Sequence, residues 1–279
     1  MTTIVGGVGT SHVPAIANAI RNEWFDDPYW APFFRGYEPV RGWLEKMRPD
    51  VAVVFYNDHG LNFFLDAMPT FAIGAADHYS SADEGWGIGT VEPFQGDSAL
   101  SWHVVEQVMD AGFDLTTCQE MNVDHGFWIP ISLLWPTRPE AMRVIPLHIN
   151  TVQHPMATAA RCEALGSAVG RAVRSWPGNE RVVFIGSGGL SHQLEGKRAG
   201  FLNPEFDAEC MDALASGDTQ MITSHSIPEL VELAGSQGVE VVNWLAMRGA
   251  IGGAVSEVHR SYHIPISNTA AGVQALAAV

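Results

Sequence analysis

Three short apolar runs along this chain break off at small or polar residues and are followed, within a few positions, by a histidine. Ile4-Val5-Gly6-Gly7-Val8-Gly9 leads to Ser11-His12, Val51-Ala52-Val53-Val54-Phe55-Tyr56 leads to Asn57-Asp58-His59, and Val182-Val183-Phe184-Ile185-Gly186-Ser187 leads through Gly188-Gly189-Leu190-Ser191 to His192. Runs of this kind, rich in β-branched residues and too short for helices, read as strands buried on both faces. In an open, mostly parallel α/β sheet, ligands bind in the crevice outside the carboxyl ends of the strands. The pattern therefore aims three histidines at one place.

Between these strands the apolar period lengthens. Val40, Trp43, Leu44 and Met47 follow helical spacing that Arg48-Pro49-Asp50 ends. A strand is expected near Thr70 to Ile73, a long surface loop over 78–97, a helix from Ser98 to Ala111 and a strand from Arg143 to Ile149. Loops as long as 78–97 are often functional. Met156 to Trp176 is the longest helix candidate, closed by Pro177-Gly178. Short helices are expected over 205–215 and 227–234, a longer one from Ser236 to Ala250 with Ser236 as N-cap, and a last strand and turn over Tyr262 to Thr269. No internal repeat, heptad run or low-complexity linker interrupts the alternation. One α/β domain over residues 1–279 is the economical expectation.

Composition narrows the partners. With 47% hydrophobic and 16% charged residues, 279 residues can fill a substantial core. A net charge of −16, from 15 Lys and Arg against 31 Asp and Glu, repels phosphate backbones and anionic lipid, so neither nucleic acid nor a membrane surface is expected as a partner. No apolar run approaches the roughly 20 residues of a membrane helix, and the first residues lack a signal-peptide pattern; a cytoplasmic enzyme is expected. Cys118, Cys162 and Cys210 match neither a disulfide framework nor a zinc ribbon and read as reduced packing residues.

A carboxylate completes the candidate chemistry. From Leu233 to Met247 the only charged side chain is Glu240, set among Val239, Val241, Val242, Trp244 and Leu245. Burying it is expensive unless a cation meets it. Two imidazoles and one carboxylate on one face of a metal form the facial triad of non-haem iron(II) oxygenases, and His12, His59 and Glu240 could supply it. Each has a plainer reading: a histidine after a strand is commonly a loop residue, Glu240 could be a helix-start carboxylate, and Asp58 could bind a metal in place of His59 or bond its own turn. His125, in Val123-Asp124-His125-Gly126, is a fourth candidate, for a supporting or substrate role. The remaining histidines read as structural or surface residues, and Asp83-Glu84 as an acidic loop face. Gly186 to Ser191 ends in Ser where a dinucleotide fingerprint needs Gly or Ala, and Ser187 lacks the glycine two residues earlier that a nucleophile elbow needs.

Taken in order, Thr10-Ser11-His12-Val13-Pro14-Ala15, Tyr56-Asn57-Asp58-His59, Asp83-Glu84-Gly85-Trp86-Gly87, Val123-Asp124-His125-Gly126, Gly186 to Leu194, Gly238-Val239-Glu240 and Tyr262 to Ala270 resemble the class III extradiol ring-cleaving dioxygenases, in the pattern of the catalytic β subunit of protocatechuate 4,5-dioxygenase. The resemblance covers nearly the whole chain. It implies a three-layer α/β/α sandwich with a mostly parallel or mixed central sheet. It further implies iron(II) bound by His12, His59 and Glu240, His192 as acid and base, His125 beside the substrate, and Ser267 and Asn268 holding the substrate's substituents.

Two departures bear on the substrate. Phe127-Trp128 stands where the family commonly has a small residue and Thr, and Ile88-Gly89-Thr90 replaces a Pro-Arg-Pro run, removing a cation near the loop. These departures count against protocatechuate and leave gallate, a methylated gallate or another substituted catechol open. The resemblance also implies an oligomer and a small helical α subunit closing the site. Two rival readings are a different metal enzyme on the same scaffold, such as a zinc hydrolase, and a binding protein without catalysis.

Overall fold

Apolar runs become the strands of one mixed sheet, and the segments of helical period cover its two faces. The computed structural model of the chain describes residues 1–151, 153–266 and 268–279. The described strands are β1 (Thr3–Thr10), β2 (Val51–Tyr56), β3 (Phe71–Gly74), β4 (His78–Ser81), β5 (Phe94–Gly96), β6 (Thr116–Cys118), β7 (Asn122–Val123), β8 (Arg143–Ile149), β9 (Arg181–Ser187), β10 (Val255–Ile266) and β11 (Thr269–Ala278). The helices are α1 (Pro14–Arg21), α2 (Ala31–Arg35), α3 (Glu38–Met47), α4 (Ser98–Asp110), α5 (His125–Leu134), α6 (Ala159–Ser175), α7 (Pro204–Ser216), α8 (Gln220–Thr223), α9 (Ile227–Ala234) and α10 (Val241–Ile251).

The sheet runs β10-β11-β1-β9-β2-β8-β5-β4-β7, with β3 pairing with β8 and β6. Its centre, β1-β9-β2-β8, is parallel, and β11 adds to β1 antiparallel. Successive side chains of a strand point to opposite faces, and the core divides accordingly. Val53, Phe55, Val182 and Phe184 pack with apolar residues of α4, α6, α7 and α10, whereas Ala52, Val54, Tyr56, Val183 and Ile185 pack with those of α1, α2, α3 and α5. This is the three-layer α/β/α sandwich expected above.

The parallel centre decides where chemistry can sit. β1, β2 and β9 end on the same edge of the sheet, so the turns after Thr10, Tyr56 and Ser187 are neighbours. The helix α10 reaches that edge because the strands beneath it carry glycine. A Cβ on Gly9 would lie 2.2 Å from the Trp244 ring, and one on Gly186 would lie 2.6 Å from Trp244 Cα. The fully buried indole then anchors the helix; its Nε1 donates to Gly188 O at 2.8 Å, and Asn243 Nδ2 donates to Ser187 O at 2.7 Å.

Several elements differ from the sequence expectation. The helix expected from Met156 starts at Ala159, where Thr158 supplies the N-cap. The helix expected from Ser236 starts at Val241 after a 3-10 turn, Gly238–Glu240; Ser236 Oγ donates to Gln237 Oε1 at 2.6 Å and caps nothing. The 78–97 loop contains the short strands β4 and β5. The tail forms a long hairpin, β10 and β11, and the helix α5 is fully new. No described helix is long and apolar enough to cross a membrane.

Candidate metal centre

His12 follows β1 directly, with Pro14 starting α1 just beyond it. His59 follows β2, in a turn that Asp58 organises by accepting backbone N–H bonds from Gly60, Leu61, Asn62 and Phe63 at 3.0 to 3.2 Å and the Asn62 amide at 2.6 Å. That carboxylate is committed to its own turn, which decides between the two sequence readings of Asp58 in favour of the hydrogen-bonded one. Glu240, 2% exposed, ends the 3-10 turn that leads into α10. The three side chains meet: His12 Nε2 and His59 Nε2 are 3.3 Å apart, and Glu240 Oε1 lies 3.4 Å from the first and 3.2 Å from the second.

The far side of each imidazole fixes which nitrogen carries hydrogen. Asp124 accepts the Nδ1–H of His59 at 2.9 Å and also its backbone N–H at 2.7 Å. His12 Nδ1 lies 2.8 Å from Ser187 Oγ, and the Ser187 hydroxyl donates to Gly126 O, so His12 must donate from Nδ1. With Nδ1 carrying hydrogen on both rings, the neutral imidazoles present their Nε2 lone pairs to Glu240 Oε1, so that a cation, either a metal or a proton on Nε2, must sit between them. The other oxygen, Oε2, accepts from Gly189 N at 3.3 Å.

Three facing lone pairs in a buried place call for a positive charge. The titration of the group says the same. Burial opposes charge on His59, yet Asp124 and Glu240 carry its pKa well above the ordinary value. Burial would also raise Glu240, but His12 and His59 hold it well below the usual carboxylate range. Asp124, against its own burial, is brought down to about 2 by His59 and His125. A divalent metal fits the donor set. Neighbouring ligands at bonds of about 2.1 Å are roughly 3.0–3.4 Å apart in octahedral and tetrahedral sets, and carboxylate or hydroxyl partners behind metal-binding imidazoles are a regular support.

Two more histidines border this centre. His192 donates from Nδ1 to Leu190 O at 2.8 Å. Its loop is held by Ser191, whose Oγ and N–H both bond Asp207, and by His192 N donating to Ala234 O at 2.8 Å. His125 opens α5 and donates from Nδ1 to Glu84 Oε2 at 2.7 Å. Its ring centroid is 5.3 Å from that of His12 and 4.2 Å from that of His59. Burial lowers the pKa of both, so each stands as a neutral imidazole with Nε2 unprotonated. All five residues line one cavity of about 340 Å³, whose walls include Val13, Pro14, Phe63, Met68, Trp86 and Thr269.

The sequence-derived residues thus divide in a simple way. His12, His59, Glu240, His125 and His192 come together; Asn268 sits in the turn between β10 and β11, next to the wall residue Thr269; Ser267 lies outside the described residues. Sequence reasoning gave no place in the site to Asp124, Ser187, Glu84 or Asp207: it read Glu84 as part of an acidic loop face and weighed Ser187 only as a nucleophile. Only Asp124 had a signal: it stands three residues before Phe127, whose N–H it accepts at 3.3 Å, as an N-cap carboxylate should. His148 is structural, as expected, accepting the Asp58 N–H at 2.9 Å.

Comparison with known proteins adds a family signature to this geometry. The model of the catalytic LigB subunit of aromatic ring-opening dioxygenase matches residues 6–273. Gallate dioxygenase of Pseudomonas putida is 39% identical over 185 residues, which are 66% of this chain and 54% of that protein, so the match spans about half of the relative. A 2,3-dihydroxyphenylpropionate/2,3-dihydroxicinnamic acid 1,2-dioxygenase of Rhodococcus sp is 32% identical over 261 residues, 78% of this chain and 81% of that protein. The crystal structure of an uncharacterized protein from Escherichia coli K12 shares the fold, with a TM-score of 0.55 and 16% identity over 97% of this chain and 99% of that chain.

Proposed function

From the premise that this chain belongs to the family of the catalytic LigB subunit of aromatic ring-opening dioxygenase, we propose that it is one catalytic domain that opens the ring of a substituted catechol with dioxygen, beside the diol. His12, His59 and Glu240 hold iron(II) in this reading. The observation that carries it is the triangle of His12 Nε2, His59 Nε2 and Glu240 Oε1, with edges of 3.2 to 3.4 Å. Iron(II) in such a set supplies a redox-active Lewis acid with open positions that brings a catechol and dioxygen together.

The chain's own residues do the rest. His192, neutral and with Nδ1 tied to Leu190 O, offers Nε2 as the base for a catechol hydroxyl. Ring opening by dioxygen places both oxygen atoms in the product and conserves every hydrogen until the new carboxylic acid ionises, so a proton that His192 takes from the catechol can be handed back during bond cleavage; one imidazole can serve both transfers. His125, fixed by Glu84, offers a second acceptor at the other side of the cavity. The apolar walls Val13, Pro14, Phe63 and Met68 hold the ring and keep water from it. Asn268 and Ser267 are read as contacts to the ring's substituents.

Gallate, a methylated gallate, protocatechuate and dihydroxyphenylpropionate form the substrate panel, the relatives' names supplying the first and last. Phe64, Leu65 and Leu194 are exposed at the cavity mouth, where a small helical subunit or a second copy would close it. The test is dioxygen uptake by protein loaded anaerobically with iron(II). One dioxygen consumed per catechol, with a yellow ring-opened product, is the expected result. Bound iron without uptake on any member of the panel, with and without a co-expressed α-type subunit, overturns the reading.

A further inference from the structure

Glu84 belongs to a loop that the sequence marks only as acidic, yet its carboxylate is nearly buried, with 8% of the side chain exposed. It grips His125 twice. Oε1 accepts the His125 backbone N–H at 2.7 Å and Oε2 accepts Nδ1–H at 2.7 Å. Two residues on, Trp86 lies with its ring centroid 4.9 Å from the His125 ring, lines the cavity and is 52% exposed.

The loop is held in place from outside the site. Ser81 and Val91 close its neck through bonds of 2.8 and 3.0 Å, Ile88 is buried in the core on the α1 side of the sheet, and Arg21 donates to Gly87 O at 2.5 Å. Gly85 and Gly87 have φ of +77° and +73°, a conformation that side-chain-bearing residues rarely adopt, so the turn that carries Glu84 inward and Trp86 onto His125 depends on both. An anchored loop that spends a buried carboxylate on one imidazole constrains that imidazole. A carboxylate can only accept, so while Glu84 is in place the hydrogen of neutral His125 stays on Nδ1 and the lone pair on Nε2.

We propose that Glu84 is a positioning residue for His125: it fixes the tautomer that turns a lone pair toward the catechol, and it makes Trp86 a wall of the substrate site. The inference rests on the ring-opening reading above for its catalytic consequence, but the tautomer itself is observable without turnover.

The experiment combines ¹⁵N NMR of the imidazoles with kinetics. In metal-free wild-type protein, His125 is expected as the Nδ1–H tautomer, its signals assigned by their loss in His125→Ala. In Glu84→Gln the side-chain amide brings a donor to Nδ1, and the hydrogen is expected to move to Nε2. Iron content should stay at the wild-type level while kcat/KM falls roughly ten- to a hundredfold, the range for partners that orient imidazoles; Glu84→Asp should recover part of it. In a His125→Ala background, Glu84→Gln should cost nothing further, since Glu84 acts through His125. An Nε2–H tautomer in the wild type overturns the proposal, even where the variant fails to fold. So does an unchanged tautomer in Glu84→Gln, or a full additional loss in the His125→Ala background. Absence of turnover in every protein, with the tautomer exchange observed, would sink the ring-opening reading and leave the positioning role standing.

Discussion

Asp124 accepts two hydrogen bonds from His59, one from its backbone N–H at 2.7 Å and one from Nδ1 at 2.9 Å, while the residue after Asp124 is His125 itself. A fully buried carboxylate thus links a strand-end imidazole to the first turn of α5, whose Phe127 N–H it also caps at 3.3 Å. Asp124→Asn preserves the capping oxygen but removes the charge behind His59. Metal affinity should fall ten- to a hundredfold, read by competition with a chelator of known affinity. An affinity equal to wild type would show that the second bond does not tune the ligand.

His192 touches the cavity without belonging to the His12, His59 and Glu240 triangle. On the proposed reading, His192→Gln should therefore bind iron(II) as the wild type does and lose about 10²- to 10⁴-fold in kcat, the usual worth of a positioned acid and base. Iron content and turnover measured on the same preparation decide the matter. Parallel loss of both would place His192 among the ligands.

Much of this site was legible in the sequence because strand ends announce themselves. His12, His59 and His192 each follow an apolar run, and parallel pairing of β1, β9 and β2 brings those ends together. Glu240 was legible as the lone charge in an apolar stretch. The helix α5 was not, because nine of its ten residues are buried, leaving no polar face to give a period; Pro130 inside it points the wrong way as well. Strand β11 was hidden for a related reason: Ala270, Ala271, Gly272 and Ala275 carry no strand propensity, and pairing with β1 and β10 decides their conformation. Glu84 and Asp207 were illegible because their partners, His125 and Ser191, are 41 and 16 residues away.

The close approach of α10 to the sheet predicts a steric lesion. A Cβ on Gly186 would lie 2.6 Å from Trp244 Cα and 2.7 Å from Asn243 O, backbone atoms that cannot turn aside. Gly186→Ala should destabilise the protein by about 1–3 kcal/mol, as overpacking of a close contact does, and should weaken metal binding too, because Glu240 enters the site from the start of that helix. Urea unfolding and metal titration report the two effects separately. Normal stability would mean that the helix can lift from the strands at no cost.

His148, which is not one of the proposed metal ligands but braces the turn that carries His59, supplies a pH dependence of stability. Burial brings its pKa from 6.5 down to about 3, so the folded protein keeps it neutral. The unfolded chain then binds the proton that the folded chain refuses, and stability falls with pH between these values. The contribution is full above about pH 6.5 and is lost as pH falls toward about 3. Replacing the ring by His148→Asn, which keeps an acceptor for the Asp58 N–H, should remove about 2 kcal/mol of the stability difference between pH 7 and pH 5. Denaturant unfolding of both proteins at the two pH values is the measurement; equal slopes would show that His148 takes up its proton in the folded state.

Metal should stabilise the fold through Glu240. Its Oε1 sits 3.2 and 3.4 Å from the Nε2 atoms of two imidazoles, an arrangement that a divalent cation relieves. Binding only to the folded state at a hundredfold excess over Kd is worth about 2.7 kcal/mol. Anaerobic iron(II), or zinc(II) as a redox-inert substitute, should accordingly raise the Tm of the metal-free wild type by several degrees. Glu240→Ala removes one of three ligands and the negative charge at once, and its Tm should not respond to either metal. Without metal, the same variant frees His59 from one of the two carboxylates that hold its pKa well above the ordinary value, so the imidazolium is less favoured there. A Tm rise in Glu240→Ala equal to that of wild type would mean that the metal sits elsewhere, and the triangle of His12, His59 and Glu240 would then be a proton-holding structural cluster.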